Sequence, residues 1–167
     1  MKHRFIAFSF FVLGILLFFV SKDPISLPSE DTNVQISFYN KIKVFNGFEF
    51  IGIFIYNITV GFLLSILGYF TGGLLTALIL IWNGFLIAMV YNIAVYKLPI
   101  NTILYASKHI PFEIFAFLIF AQFGLKGKSF ISNILKKNEI DFSLIPKIKN
   151  LSYPTFLLII AAILETV

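Results

Sequence analysis

The sequence lacks cysteine and contains few charged residues, and both absences limit what the protein can be. Without cysteine it cannot form disulfide bonds, thiolate metal sites or a cysteine nucleophile. Charged residues make up 13% of the chain and hydrophobic residues 59%, against about 25% and about 45–50% in a typical soluble domain. The mean hydropathy of +0.93 arises from apolar runs long enough to cross a bilayer. We therefore predict an integral membrane protein whose 167 residues form a single domain.

Histidine is nearly absent, and the excess of basic residues is small. The chain contains two histidines, His3 and His109, so we expect no zinc cluster and predict neither a metal nor a cofactor. A net charge of +5, with no basic run interleaved with exposed aromatic residues, indicates contact with lipid headgroups rather than nucleic acid. The sequence also lacks the GxSxG, HExxH and Walker motifs. We therefore predict that the protein is not an enzyme.

The apolar runs predict an all-α bundle of about five transmembrane segments in the cell membrane. These segments are 5–20, 48–67, 74–93, 101–125 and 151–167. The first follows Lys2 and Arg4 and has no small-residue cleavage site, which predicts an uncleaved anchor with a cytoplasmic N-terminus. Residues 126–150 are rich in lysine and are predicted to form a basic cytoplasmic loop that lies on anionic lipid or docks a partner. The second half of loop 21–43 fits a short helix lying on the bilayer.

The fourth segment is predicted to be broken near Pro111. Proline donates no hydrogen bond and its ring clashes with the carbonyl group four residues earlier. We therefore expect a short helix up to about His109 and a second helix from Pro111. Glu113 follows His109 by four residues, so their side chains are neighbours whether the helix is kinked or broken. The pair is open to two interpretations. It locks the helix by hydrogen bonding to Asn57 or Asn83, or it relays protons.

Polar and small residues within the apolar runs mark helix contacts or a buried site, because polar groups are unfavourable in hydrocarbon. The predicted intramembrane polar motif contains Asn57, Asn83, Gly84, His109, Glu113 and Glu165. For Glu165, a position in the headgroup layer is an equal alternative. A stripe of small residues on the second and third segments predicts close packing of two antiparallel helices. The main members of this stripe are Gly61, Ser65, Gly68, Gly73 and Ala77.

The order and spacing of these motifs form a pattern. Asn83-Gly84 follows the small-residue hairpin, His109-x-x-x-Glu113 precedes Ala116 and Gly124-Leu125, and Ala161-Ala162-Ile163-Leu164-Glu165 comes near the end. Over residues 51–167 this pattern resembles the stage II sporulation protein M family of bacterial membrane proteins. That family commonly has Pro-His-Gly-x-x-Glu. Here Lys108 and Ile110 flank the histidine, and the proline is displaced to position 111.

The resemblance implies a membrane scaffold that anchors peptidoglycan hydrolases during cell-wall remodelling. Small stand-alone relatives are associated with the production of circular bacteriocins. The second hypothesis is therefore a protein that confers immunity to such a peptide or helps to export it, with ABC transporter subunits as partners. A third hypothesis, drawn from the residues, is a proton-coupled carrier that uses His109 and Glu113. The expected partners are membrane lipids and other membrane or envelope proteins. Glycine-rich helix faces leave room for a homodimer.

Overall fold

The computed structural model describes residues 2–21, 47–137 and 148–166, which form helices and turns with no strand among them. The helices are α1 (Lys2–Ser21), α2 (Gly47–Phe62, continued by a π-helical segment Leu63–Leu67 and a last turn Gly68–Phe70), α3 (Leu74–Lys97), α4 (Ile100–Ala106), α5 (Ile110–Lys137) and α6 (Ser152–Thr166, preceded by a 3₁₀ turn Ile148–Leu151). The predicted all-α membrane bundle is confirmed. The interfacial helix predicted in the first loop lies outside the described residues, as do residues 138–147 of the predicted basic loop.

Within the described part of the chain, four helices are long and apolar enough to cross a membrane. They are His3–Ser21, Glu49–Phe70, Leu74–Lys97 and Ile110–Lys136. Helix α6 has 15 residues, which gives a length of about 22 Å at 1.5 Å per residue, whereas the hydrocarbon core is about 30 Å thick. The predicted fifth span is therefore not confirmed, although α6 packs along α5 as part of the same bundle.

The interruption of the fourth segment lies just before the proline, at residues 107–109. The Ser107 N–H donates to the Ile103 carbonyl at 2.9 Å, and the Ile110 N–H donates to the Ser107 carbonyl at 3.1 Å, so these residues form a hydrogen-bonded turn. Pro111 is the second residue of α5, within the first turn, where a helix does not need the missing N–H. A break at Pro111 itself is not confirmed.

Helix α5 continues for 28 residues, through the first part of the segment predicted as a basic loop. Packing explains this length. Gly127 lies against the backbone of Tyr69, and the Phe130 ring packs on the Tyr69 ring with centroids 5.0 Å apart. Lys126 and Lys128, on either side of Gly127 in the sequence, are exposed. The helix therefore remains amphipathic beyond the point where its sequence stops being uniformly apolar.

Helices α1 and α3 cross at two glycines. A Cβ atom added to Gly14 would lie 2.0 Å from the Ile81 carbonyl oxygen, and one added to Gly84 would lie 2.1 Å from the Phe11 carbonyl oxygen. No side chain fits at such a backbone contact, so glycine is required on both helices. This close approach is the small-residue packing expected in membranes, where van der Waals contact replaces the hydrophobic effect.

The predicted small-residue stripes therefore do not face each other along their length. Gly84 contacts α1, whereas Gly61 accommodates the Phe120 ring of α5, whose Cε2 atom would lie 2.7 Å from an added Cβ. The turn between α2 and α3 depends on Gly72 and Gly73, whose φ angles are +64° and +90°; this left-handed region suits glycine. Each of the two central helices thus uses its small residues to receive a different neighbour.

The remaining stripe residues support the same region from within their own helices. Ser65 is buried and donates to the Gly61 carbonyl at 2.9 Å, and the Ala77 N–H donates to the Gly73 carbonyl at 3.0 Å. The adjoining core is apolar, with Leu64, Leu80 and Phe120 among its fully buried side chains.

A three-helix junction forms around the π-helical segment of α2. The fully buried Thr76 hydroxyl on α3 donates to the Leu64 carbonyl at 2.8 Å. Gly124 of α5 faces the same two groups, since an added Cβ would lie 2.0 Å from the Leu64 oxygen and 2.1 Å from the Thr76 hydroxyl. Gly68 also borders this hydroxyl. We define the three-helix junction as Leu64, Gly68, Thr76 and Gly124.

Replacing Thr76 by valine should destabilise the protein by about 1 kcal/mol, because the isosteric change removes a buried hydrogen bond and leaves the Leu64 carbonyl without this donor. Unfolding in mixed detergent micelles, followed by circular dichroism, measures the change. Thr59→Val is the matched control, because the Thr59 hydroxyl donates within its own helix to Ile55 on an exposed face. Equal stability of the two variants would contradict a structural role for the Thr76 bond.

Candidate functional site

Residues far apart in the sequence meet where α5 begins and α6 ends. His109 lies in the turn before α5, Glu113 in its first turn, and Glu165 near the end of α6. Helix α2 passes beside them and contributes Asn57. These four residues are the polar cluster. It contains four of the six residues predicted for the intramembrane polar motif.

Asn57 ties α2 to α5. Its Nδ2 atom donates a hydrogen bond to Oε1 of Glu113, and the Asn57 residue is only 6% exposed. A buried amide without a partner would be costly, so the carboxylate acceptor stabilises the position of both side chains. The sequence left Asn57 and Asn83 as alternative partners, and the structure selects Asn57.

His109 and Glu165 form the second half of the polar cluster. Nε2 of His109 lies 3.8 Å from Oε2 of Glu165, and their side chains are 14% and 35% exposed. Nδ1 of His109 is buried and has no hydrogen bond of regular geometry within the described part of the chain. Glu165 is therefore partly solvated near the end of α6, and it also faces His109.

The three ionisable side chains of the polar cluster are close enough to share one ligand. One ligand atom each from His109, Glu113 and Glu165 can be chosen so that all three lie within 4.8 Å of one another. Among residues 2–21, 47–137 and 148–166, no lysine or arginine forms an ion pair with either carboxylate. One imidazole and two carboxylates can bind protons or a divalent cation. They can also hold α2, α5 and α6 together.

The family model of stage II sporulation protein M matches residues 6–167. The chain belongs to this family. The match confirms the resemblance found in the motifs and extends it from residue 51 back to residue 6, within α1. Comparisons with curated proteins and with solved structures each give no match.

Two residues of the predicted motif lie outside the polar cluster of this stage II sporulation protein M family member. Asn83 is half-buried, and its Nδ2 atom donates to the Ile79 carbonyl of its own helix at 2.8 Å. Gly84 faces α1 at the helix crossing. Asn83 therefore bonds within its own helix and Gly84 allows the close contact with α1, so neither residue contributes to the polar cluster.

Sequence reasoning missed two residues that shape the bundle, Gly14 and Thr76. Gly14 lies in an otherwise large-residue apolar run, and a lone glycine in such a run is a signal of close backbone approach. Thr76 follows the turn glycines and has no pattern that distinguishes it from a lipid-facing threonine. Its importance arises from the partner on α2, which the sequence alone does not identify.

Proposed function

We propose that this family member is a non-enzymatic membrane scaffold that holds cell-wall remodelling or other envelope proteins at the cell membrane. The observation that carries the proposal is the hydrogen bond from Asn57 to Glu113. This bond supports a helix-locking role for the central acidic residue of the motif, which is the role that a rigid anchor requires. Family membership supports an envelope role for such an anchor.

The glycine contacts also favour a static bundle over a carrier. Alternating access requires groups of helices to move against one another around a central site. Gly14 and Gly84 bring the backbones of α1 and α3 into direct contact, and Gly124 does the same for α5 and α2. Because close backbone packing at these two contacts resists sliding of the helices against one another, a proton-coupled carrier is the less favoured function.

The proposed orientation places the N-terminus in the cytoplasm, since Lys2 and Arg4 begin α1. Arg4 donates from Nε to Oε1 of Gln122 near the middle of α5, about three turns beyond the start of that helix, at 3.0 Å. The start of α5, with the polar cluster, would then lie towards the outer face. Partners of a cell-wall scaffold are on that side.

Crosslinking in native membranes, affinity purification and mass spectrometry test the scaffold. We expect peptidoglycan hydrolases or other envelope proteins to be enriched over an unrelated polytopic bait of equal abundance. Glu113→Leu removes the acceptor of the Asn57 bond, so it should lower the recovery of partners together with the yield of folded bait. Glu113→Gln keeps an acceptor oxygen and should retain both.

Absence of enrichment over the unrelated bait would contradict the scaffold. Enrichment of an ABC transporter subunit or a small hydrophobic peptide would instead favour immunity to, or export of, a bacteriocin. Two differently tagged copies in the same cells test the homodimer, which co-purifies both tags if it forms.

A further inference from the structure

The two carboxylates of the polar cluster raise a problem of charge. Glu113 is half-buried near the start of a membrane-spanning helix, and Glu165 lies 3.8 Å from His109. Carboxylates in a low-dielectric environment need a proton, a counter-charge or a cation. The described residues supply no lysine or arginine ion pair to either of them. Within the polar cluster, His109 offers at most one positive charge for two carboxylates, and Lys108 acts on the histidine from outside the cluster.

The imidazole of His109 provides a second, independent observation. Its Nε2 atom is 3.8 Å from the nearest Glu165 oxygen, beyond a regular hydrogen bond, and its Nδ1 atom is buried without one. A buried imidazole with neither nitrogen well bonded is unfavourable. The backbone carbonyl of Ala106 lies beside the ring as an acceptor. A proton on Nδ1 directed towards that carbonyl would leave the Nε2 lone pair facing the carboxylates.

We propose that His109, Glu113 and Glu165 bind one divalent transition-metal ion, with Zn²⁺ as the best fit. One nitrogen and two carboxylate oxygens are a ligand set that zinc accepts, and three protein ligands leave a fourth position for water. Ligand atoms around zinc are about 3.4 Å apart, as follows from metal–ligand distances of about 2.0–2.1 Å in a tetrahedron. The present separations of 4.8 Å or less therefore require movements of about 1 Å, which side-chain rotation supplies.

The surroundings of the three ligands suit a metal site. Asn57 donates to one oxygen of Glu113 and leaves the other for the ion, an arrangement in which the hydrogen bond orients the ligand. Glu165 is 35% exposed, so the ion can enter from solvent past its side chain. The ion would join the start of α5 to the end of α6, a link additional to the scaffold function.

Metal content and affinity of the tag-free, full-length protein in detergent test the site. After chelation and dialysis, we expect one Zn²⁺ per chain by mass spectrometry of the metal and by calorimetric titration, in the presence of excess Mg²⁺. Glu165→Gln and His109→Gln should each weaken binding by at least about 100-fold, since each removes a direct ligand; even a lost orienting residue costs about 10–100-fold.

Two matched controls use the same chemical changes elsewhere. His3→Gln removes the other histidine, and Glu49→Gln removes an exposed carboxylate near the start of α2. Both should bind Zn²⁺ like the unaltered protein. Gel filtration and circular dichroism without metal establish that Glu165→Gln is folded, as its partly exposed position at the end of α6 predicts.

Three results would overturn the proposal. They are the absence of stoichiometric Zn²⁺ in the unaltered protein, undiminished binding by folded Glu165→Gln, and loss of binding in His3→Gln. The first would indicate that protons neutralise the polar cluster, and the third would place any bound ion at the N-terminus of α1. None of these results depends on the partners of the scaffold, so the metal site and the proposed function fail or succeed separately.

Discussion

Replacement of Gly124 by alanine should disrupt the helix bundle, while replacement of Gly52 by alanine leaves it intact. Gly124 lies in the three-helix junction, where a new methyl group would be 2.0 Å from the Leu64 carbonyl oxygen and 2.1 Å from the Thr76 hydroxyl. Neither group can withdraw easily, because the first is backbone and the second is a fully buried hydroxyl bonded to it. The helices must therefore separate, and the buried hydrogen bond is lost with them.

The expected cost for Gly124→Ala is about 3 kcal/mol. Overpacking a close-packed core costs about 1–3 kcal/mol, and an unsatisfied buried polar group adds about 1–3 kcal/mol. Alanine is also the better helix former by about 1 kcal/mol, which partly offsets the loss. Gly52 has no atom within 4 Å of its added Cβ, so there the same propensity should leave the protein unchanged or slightly more stable.

Equilibrium unfolding in mixed micelles and the yield of monodisperse protein measure both variants. If Gly124→Ala and Gly52→Ala had the same free energy of unfolding, α2, α3 and α5 could not be in contact at the three-helix junction. A graded result is also informative. Gly68→Ala would place its methyl group 1.9 Å from the Thr76 hydroxyl but 3.3 Å from the Gly124 backbone, so it should be harmful but less so.

The glycines show how far sequence reasoning reaches for this fold. Spacing predicted that small residues of α2 and α3 lie at helix contacts, and the contacts of Gly61, Gly68 and Gly84 agree with that much. Spacing could not indicate which helix each glycine meets. Gly84 contacts α1 and Gly61 contacts α5, because partner choice depends on how the whole bundle closes. Local pattern therefore identifies a contact face, and tertiary packing assigns the neighbour.

The length of α5 exposes a second limit. The uniformly apolar run ends at Lys126 and Lys128, and for this reason the predicted fourth segment ended at residue 125. The helix continues to Lys137 because Gly127 and Phe130 pack against Tyr69 at the end of α2. A change from a buried helix to an amphipathic one resembles a helix end when hydropathy alone is considered.

The polar cluster was predictable where its residues are close in sequence. The four-residue spacing of His109 and Glu113 places both at the start of α5. Asn57 and Glu165 belong to the predicted motif, but their convergence on this pair depends on the packing of α2 and α6 against α5. The small number of histidines argued against a metal cluster. The grouping of His109, Glu113 and Glu165 could not be recognised from the sequence, because Glu165 is far from the other two and the three residues follow no known spacing of metal ligands.

A double-mutant cycle between Asn57 and Glu113 should show strong coupling. Asn57→Leu leaves the half-buried carboxyl without its donor, and Glu113→Leu leaves a 94% buried amide without its acceptor. Each single change should therefore cost about 1–3 kcal/mol. The double variant removes both polar groups together, so it should be less unstable than the sum by a coupling of about 1–3 kcal/mol.

Unfolding measured with a chelator present keeps any metal ion from contributing to this coupling. Asn83→Leu combined with Glu113→Leu is the matched control. The Asn83 amide donates to Ile79 of its own helix, so these two changes should be additive within about 0.5 kcal/mol. Additive effects in the Asn57 and Glu113 cycle would show that the two side chains act independently, and the helix-locking role would lose its basis.

Glu113→Gln separates locking from proton relay, because it removes the charge and keeps an oxygen that accepts from Asn57. If the residue locks the bundle, this variant should match or exceed the stability of the unaltered protein, since an uncharged amide is easier to bury than a carboxylate. Partner recovery should then persist. If the residue relays protons, glutamine would preserve the fold and abolish the function, because it cannot exchange a proton at neutral pH. A stable Glu113→Gln protein without function would therefore favour the carrier over the scaffold.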